Sequence, residues 1–373
     1  MMKLDFKLQN SVFTAGNRVM IIAEIGTGHG GDIDRAKALV DSAALAGADC
    51  AKFQIVHADE ILHPDTGFVQ LPGGPVRLYD RFRELEVPTS FFAEMSDYCA
   101  SRGLIFLCTP FGIASARELR ALNPSCLKIA SPELNHFPLL RETAGYGLPL
   151  ILSSGVSRLS DIEKALELTV AAPGRVLLHC ITSYPAPEEE YNLNVLESLS
   201  SMFGIPVGVS DHSLDPVLVP TLAAACGACV IEKHITLSRD DAGLDDPVAL
   251  SPDQFERMVQ SVRKAQGKLK EEIVGELEKL YGKKRIGEIL GNGKKELAAS
   301  EKANYIRTNR TIHYLKALKE GSVLGADDIA LLRTEKVLSP GLAPEFLETV
   351  TGAVLSRDVE DGAGVAWDDL IGR

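Results

Sequence analysis

Between Val19 and about Gly267 the chain repeats one unit eight times: a short apolar run, then an amphipathic stretch of helical length. The runs are "VMIIAEI", "DCAKFQ", "LIFLCT", "CLKIA", "LPLILSS", "VLLHCIT", "IPVGVS" and "CVIEKHI". Near-continuous apolar runs mark strands buried on both faces, and helix-length connections join such strands in parallel. Eight units in about 250 residues predict an α/β chain forming a (β/α)8 TIM barrel. The connection "DIDRAKALVDSAALAG" has an acidic first turn and stops at Gly47, as a helix should. The second unit is interrupted by "DTGFVQLPGGPVRLYDRF", a Gly- and Pro-rich loop long enough for a binding or oligomer-contact element.

Beyond Gly267 the texture changes. Residues 268–305 are charged, carry helical stretches and read as a linker between the barrel of residues 1–267 and a small β-rich domain of residues 306–373. The third segment has too few apolar residues for an enzyme core of its own. A net charge of −12 argues against a nucleic-acid or anionic-membrane partner, so any anionic ligand needs a local basic pocket. No apolar run approaches the roughly 18 residues of a membrane span, and nothing at the N-terminus resembles a signal peptide. Seven scattered cysteines fit a reducing compartment, with Cys226 and Cys229 as small core residues. The expected location is cytoplasmic.

"GTGHGG", Gly26 to Gly31, matches the dinucleotide pattern G-x-G-x-x-G. A dinucleotide fold would want an acidic residue at the exit of the second strand, where this chain has Lys52 and Gln54. In a barrel, chemistry gathers at the C-terminal strand ends instead. Those ends carry Glu24; Lys52 and Gln54; Thr109; Lys128, Ser131 and Glu133; Ser153; Thr182 and Tyr184; Ser210, Asp211 and His212; Glu232 and His234. Singly, each is an ordinary polar strand end. Converging on one rim, Ser, Thr and Lys suit a phosphate, and two imidazoles on adjacent strands suit a divalent metal completed by water and substrate oxygens.

The segments "IIAEIGTGHGGDIDRAKALVDSAALAGADCAKFQ", "CTPF", "LKIASPELNHFPLL", "ILSSGV", "LHCITSYPAP", "GVSDHS" and "EKHITL" resemble the N-acetylneuraminate (sialic acid) synthase family, which includes legionaminate and pseudaminate synthases and spore-coat polysaccharide proteins. The C-terminal segment resembles that family's SAF (antifreeze-like) domain. The resemblance implies condensation of phosphoenolpyruvate with an amino-sugar aldehyde, giving a nine-carbon 2-keto acid and phosphate. It implies that Lys52, Thr109, Lys128, Ser131, Ser153 and Ser210 surround phosphoenolpyruvate. His212 and His234 would hold a divalent ion, Mn²⁺ ahead of Mg²⁺ or Co²⁺. Glu24, Gln54, Glu133, Tyr184 and Asp245 fall where the family contacts the sugar or moves protons, with Glu24 and Glu133 placed to position water or stabilise a cationic centre. Arg333 falls where the SAF domain of a partner chain covers the site, which implies a domain-swapped homodimer.

Several positions depart from the pattern. The loop that reads Asn-His-Asn in many sialic acid synthases is Gly28, His29 and Gly30; Gly74 and Thr182 stand in place of two asparagines. Gly-Pro-Asp-His becomes "GLDD" and Arg-Pro-Gly becomes "RTEK". The changes fall on the sugar side more than the donor side, so the donor is expected to be retained, with an N-acetylmannosamine-like amino sugar as acceptor and its identity open among N-acetylmannosamine and legionaminate or pseudaminate precursors. Two alternatives remain at this stage: a 3-deoxy sugar acid synthase using another aldose, and a non-catalytic carbohydrate-binding barrel.

Overall fold

A computed structural model of the chain describes residues 4–71, 74–241 and 243–371. Eight parallel strands form the barrel: β1 (Met20–Gly26), β2 (Cys50–Ile55), β3 (Ile105–Pro110), β4 (Leu127–Ile129), β5 (Leu150–Ser153), β6 (Arg175–Cys180), β7 (Val207–Asp211) and β8 (Val230–His234). Hydrogen bonding runs in the order β3-β2-β1-β8-β7-β6-β5-β4, with β3 and β4 side by side at the seam. Nearly every strand residue is buried, as the unbroken apolar runs require of a sheet covered on both sides.

Two apolar layers hold the barrel together. Outward-facing side chains such as Ile21, Phe53, Leu152 and Val209 pack against the helices, while inward-facing Met20, Ile22, Leu107, Ile151, Val176 and Val230 fill the lower barrel. The N-terminal hairpin Asp5–Leu8/Ser11–Thr14 belongs to the inner layer. Its Phe6, Leu8 and Phe13 are buried against those inward residues and close the barrel floor. The first helix, Ile33–Leu45, begins at Asp32, whose carboxylate accepts the N–H groups of Asp34 and Arg35. The chain then turns at Gly47, in the left-handed region at φ 85°. All seven cysteines are buried and free. Among the described residues no helix is long and apolar enough to cross a membrane.

The interrupting loop of the second unit is an antiparallel hairpin, Phe68–Leu71/Gly74–Arg77, followed by a short helix, Leu78–Arg83; Pro72 and Gly73 lie outside the described residues. The loop touches the C-terminal domain of the same chain, where Thr66 O accepts from the backbone N–H groups of Lys336 and Val337. The stretch read as a linker begins with two helices, Lys270–Tyr281 and Lys283–Leu290, whose Ile273, Leu277, Ile286 and Ile289 are buried in the outer barrel core. Only after Leu290 does the chain cross the strand-end face as an irregular tether. The C-terminal domain has a separate core of Ile312, Tyr314, Leu324, Leu331, Val350, Leu355 and Val365. Its strands Arg310–Tyr314 and Ile329–Arg333 pair antiparallel, with Arg310 opposite Arg333.

Candidate active site

Strand register sorts the polar ends. Glu24 pairs with Lys52 on one side and His234 on the other, Gln54 with Thr109, and Ser210 with Glu232. The result is a buried network of two lysines and two carboxylates. Lys52 Nζ lies 3.1 Å from both Glu24 Oε2 and Glu232 Oε2. Lys128 Nζ donates to Ser153 Oγ at 2.5 Å and lies 3.9 Å from Glu232 Oε1, which accepts from Ser210 Oγ at 2.9 Å. Gln54 Nε2 donates to Glu24 Oε1 at 2.6 Å.

Burial and neighbouring charge set the protonation of this network. Burial pushes Glu24 up to about 7, against the pull of Lys52. Burial also brings Lys128 down to about 8, with Glu232 opposing. It would raise Glu232 too, but Lys128 and Lys52 outweigh it and hold that carboxyl at about 2. With Glu24 protonated, the network carries two positive charges against one negative. Such an arrangement accepts a buried anion.

The two histidines stand beside this network, ring centroids 5.6 Å apart. His212 Nδ1 donates to the Ile181 carbonyl at 2.8 Å, which leaves its Nε2 free for a ligand. Burial opposes the charged form of His212, but Cys180 beside Nδ1 and the Ile181 carbonyl outweigh it and raise the imidazole to about 9. A cation bound at Nε2 would have to displace that proton. Burial and the neighbouring His212 hold His234 well below its ordinary value, as a neutral imidazole ready to donate a lone pair. Tyr184 stacks on His212 with centroids 4.2 Å apart, and Asp245 Oδ2 lies 3.8 Å from His234 Nδ1. Among the described residues no group of three or more His, Cys, Asp or Glu could hold a metal by itself. Two imidazoles still fit an ion whose other positions go to water and substrate oxygens.

These groups surround a cavity of about 170 Å³. Glu24, Lys52, Gln54, Lys128, Ser131, Ser153, Thr182, Tyr184, Ser210, His212, His234 and Arg333 line it, together with Cys180, Glu232 and Thr308. Thr109, Glu133 and Asp245 are not brought to its wall. Thr109 Oγ1 is buried with no protein partner. Glu133 is fully buried, and its Oε1 accepts from Arg310 at 2.9 Å and Arg333 at 2.7 Å. A larger cavity of about 450 Å³ opens among Gly16, Pro206, Cys226 and Lys268, but no comparable set of catalytic groups converges there.

Within the single chain the cap already reaches the barrel beneath it. Arg333 bonds Glu133 and lies over the Phe111 ring at 5.4 Å, the position over the site that the resemblance gives to a cap. Thr308, Arg310 and Cys180 were not singled out from the sequence. Arg310 offered one signal, a charge opening the apolar run "RTIHY"; Thr308 and Cys180 offered none.

Fold and site together define a barrel enzyme with a polar, ionisable cavity at the strand ends beneath a small C-terminal cap. The chain belongs to the NeuB family, whose model matches residues 39–274, and it carries a SAF domain at residues 309–371. It is 36% identical to the spore coat polysaccharide biosynthesis protein SpsE of Bacillus subtilis, over 98% of this chain and 97% of that one. It is 32% identical to an N,N'-diacetyllegionaminic acid synthase of Legionella pneumophila, over 94% of each. The crystal structure of B. subtilis SpsE superposes with a TM-score of 0.83 at 34% identity, covering 99% of both chains.

Proposed function

We propose that the chain condenses phosphoenolpyruvate with an amino-sugar aldehyde, releasing phosphate and forming a nine-carbon 2-keto sugar acid for surface polysaccharide synthesis in the cytoplasm. The observation that carries this reading is the buried lysine network opening on one cavity beside two histidines. Lys52 and Lys128 balance the charge of the phosphoenolpyruvate anion, Ser131 and Ser153 supply hydroxyl donors at its rim, and Ser210, whose proton goes to Glu232, stands beside them. Thr109, off the cavity wall but with an unpartnered hydroxyl, is assigned to the same donor side.

His212 and His234 would hold a divalent ion, Mn²⁺ first among the candidates, which when bound supplies a Lewis acid for the sugar carbonyl. Glu24, with a pKa near neutrality, is the group placed to orient or deprotonate the attacking water. Glu133 is assigned to steadying Arg333, through which it reaches the cavity. Gln54, Thr182, Tyr184 and Asp245 form the sugar side. Thr182 and the "GLDD" segment, Gly243 to Asp246, support an acceptor other than N-acetylmannosamine, with legionaminate- and pseudaminate-type precursors the next classes to try.

The test is phosphate release from phosphoenolpyruvate with a panel of amino sugars, before and after chelation. Turnover with one acceptor class, loss on chelation and recovery with Mn²⁺ are expected. His212→Ala or His234→Ala should cost at least ~10²-fold. Full activity in metal-free buffer would remove the histidines from the role given them. Phosphate release only with a phosphorylated aldose would favour the 3-deoxy sugar acid reaction.

A further inference from the structure

The tether after Leu290 does more than connect two domains. It carries Glu301, a carboxylate with no exposed surface, 145 residues in sequence from its first partner. Glu301 Oε1 accepts the backbone N–H of Val156 at 2.7 Å and of Thr182 at 2.8 Å. Those amides belong to the loops leaving β5 and β6, so one carboxylate ties two strand ends together. The tether adds further bonds nearby: Lys295 Nζ donates to Ser154 O at 3.0 Å, and Asn309 Nδ2 donates to Val156 O at 3.1 Å.

Val156 is thus held at both its N–H and its C=O. It needs that restraint, because it is a β-branched residue at φ 43°, where its side chain crowds the backbone. Its neighbour Gly155 sits among the site residues: its N–H donates to Ser131 Oγ at 3.0 Å, and an added Cβ would lie 2.0 Å from Thr182 Oγ1. The tether therefore holds a strained residue that in turn sets a close three-way contact of Gly155, Ser131 and Thr182. The same segment carries Thr308 into the cavity wall and leads directly into Arg310 on Glu133.

We propose that Glu301 is a positioning residue: it latches the tether across the β5 and β6 ends, fixing the β5 loop whose Gly155 packs between Ser131 and Thr182 and aligning Thr308 and Arg333 over the same barrel. Its role in turnover rests on the condensation proposed above; the latch itself does not. Glu301→Ala and the milder Glu301→Gln are made in the full chain and followed by amide hydrogen exchange and by phosphate release. In Glu301→Ala, amide exchange in segments 154–157 and 181–183 should rise at least ~10-fold, with exchange in the lower barrel strands unchanged. Its kcat should fall at least ~10-fold while KM for phosphoenolpyruvate moves less than ~3-fold, and Glu301→Gln should lie between the two. Unchanged exchange in both loops, or a wild-type kcat, overturns the proposal. If the wild-type chain turns over no amino sugar, the condensation reading fails and the exchange measurement still decides the latch. If Glu301→Ala does not fold, Glu301→Gln carries both measurements, and wild-type exchange there overturns the latch.

Discussion

Lys128 shows most directly how one residue's surroundings set its chemistry. It lies on the barrel strand β4, and burial lowers it to about 8 despite Glu232 nearby. Its ammonium is present below that pH and lost above it. Because kcat/KM reports groups of the free enzyme, kcat/KM for phosphoenolpyruvate should fall as pH rises through about 8. Lys128→Gln should lose that limb along with at least ~10-fold in kcat/KM at pH 7. A basic limb that survives in the variant assigns the titration to another group. Glu232 was visible in the sequence as a charged strand end, but its part in balancing both lysines was not, because that depends on the register of β8 against β7.

At the scale of elements, the eight strands were legible because each apolar run is short, unbroken and bounded by turn residues. The helices of residues 270–290 were harder to place. Their charged residues outnumber their apolar ones and give the stretch the look of a linker, while Ile286 and Ile289 are fully buried against the barrel. Which barrel surface is still uncovered is a tertiary fact that local composition does not carry. Ile286→Ala should therefore cost about 2–4 kcal/mol of barrel stability, as for other buried isoleucines, where a residue in a solvated linker would cost almost nothing. Urea unfolding of the purified chain reads the difference, and a midpoint unchanged from wild type would return this segment to the role of a linker. The N-terminal hairpin escaped notice for a related reason: Phe6 and Phe13 stand in four-residue strands too short to give a pattern.

For the whole molecule, the arrangement of cap and barrel decides how many chains make one site. Here Arg333 and Arg310 reach Glu133 of their own chain, and the tether between barrel and cap is bonded along its length to that same barrel. If one chain completes its own site, a mixture of His234→Ala and Arg333→Ala proteins stays at the activity of its parents after subunit exchange. Caps exchanged within a two-fold dimer would instead restore about a quarter of the sites. The comparison requires Arg333→Ala to be clearly impaired alone; an unimpaired variant would take that arginine out of the reaction. The closed floor adds a constraint on traffic. Phe6, Leu8 and Phe13 seal one end of the barrel, while at the other end Tyr184, on the cavity wall, is half exposed. Lys52 and Lys128 are buried where Tyr184 is half exposed, so an anion held by the two lysines would lie deeper than a guest beside the tyrosine. Under the condensation proposed above, the deeper guest would have to enter first, and the two substrates would form a queue.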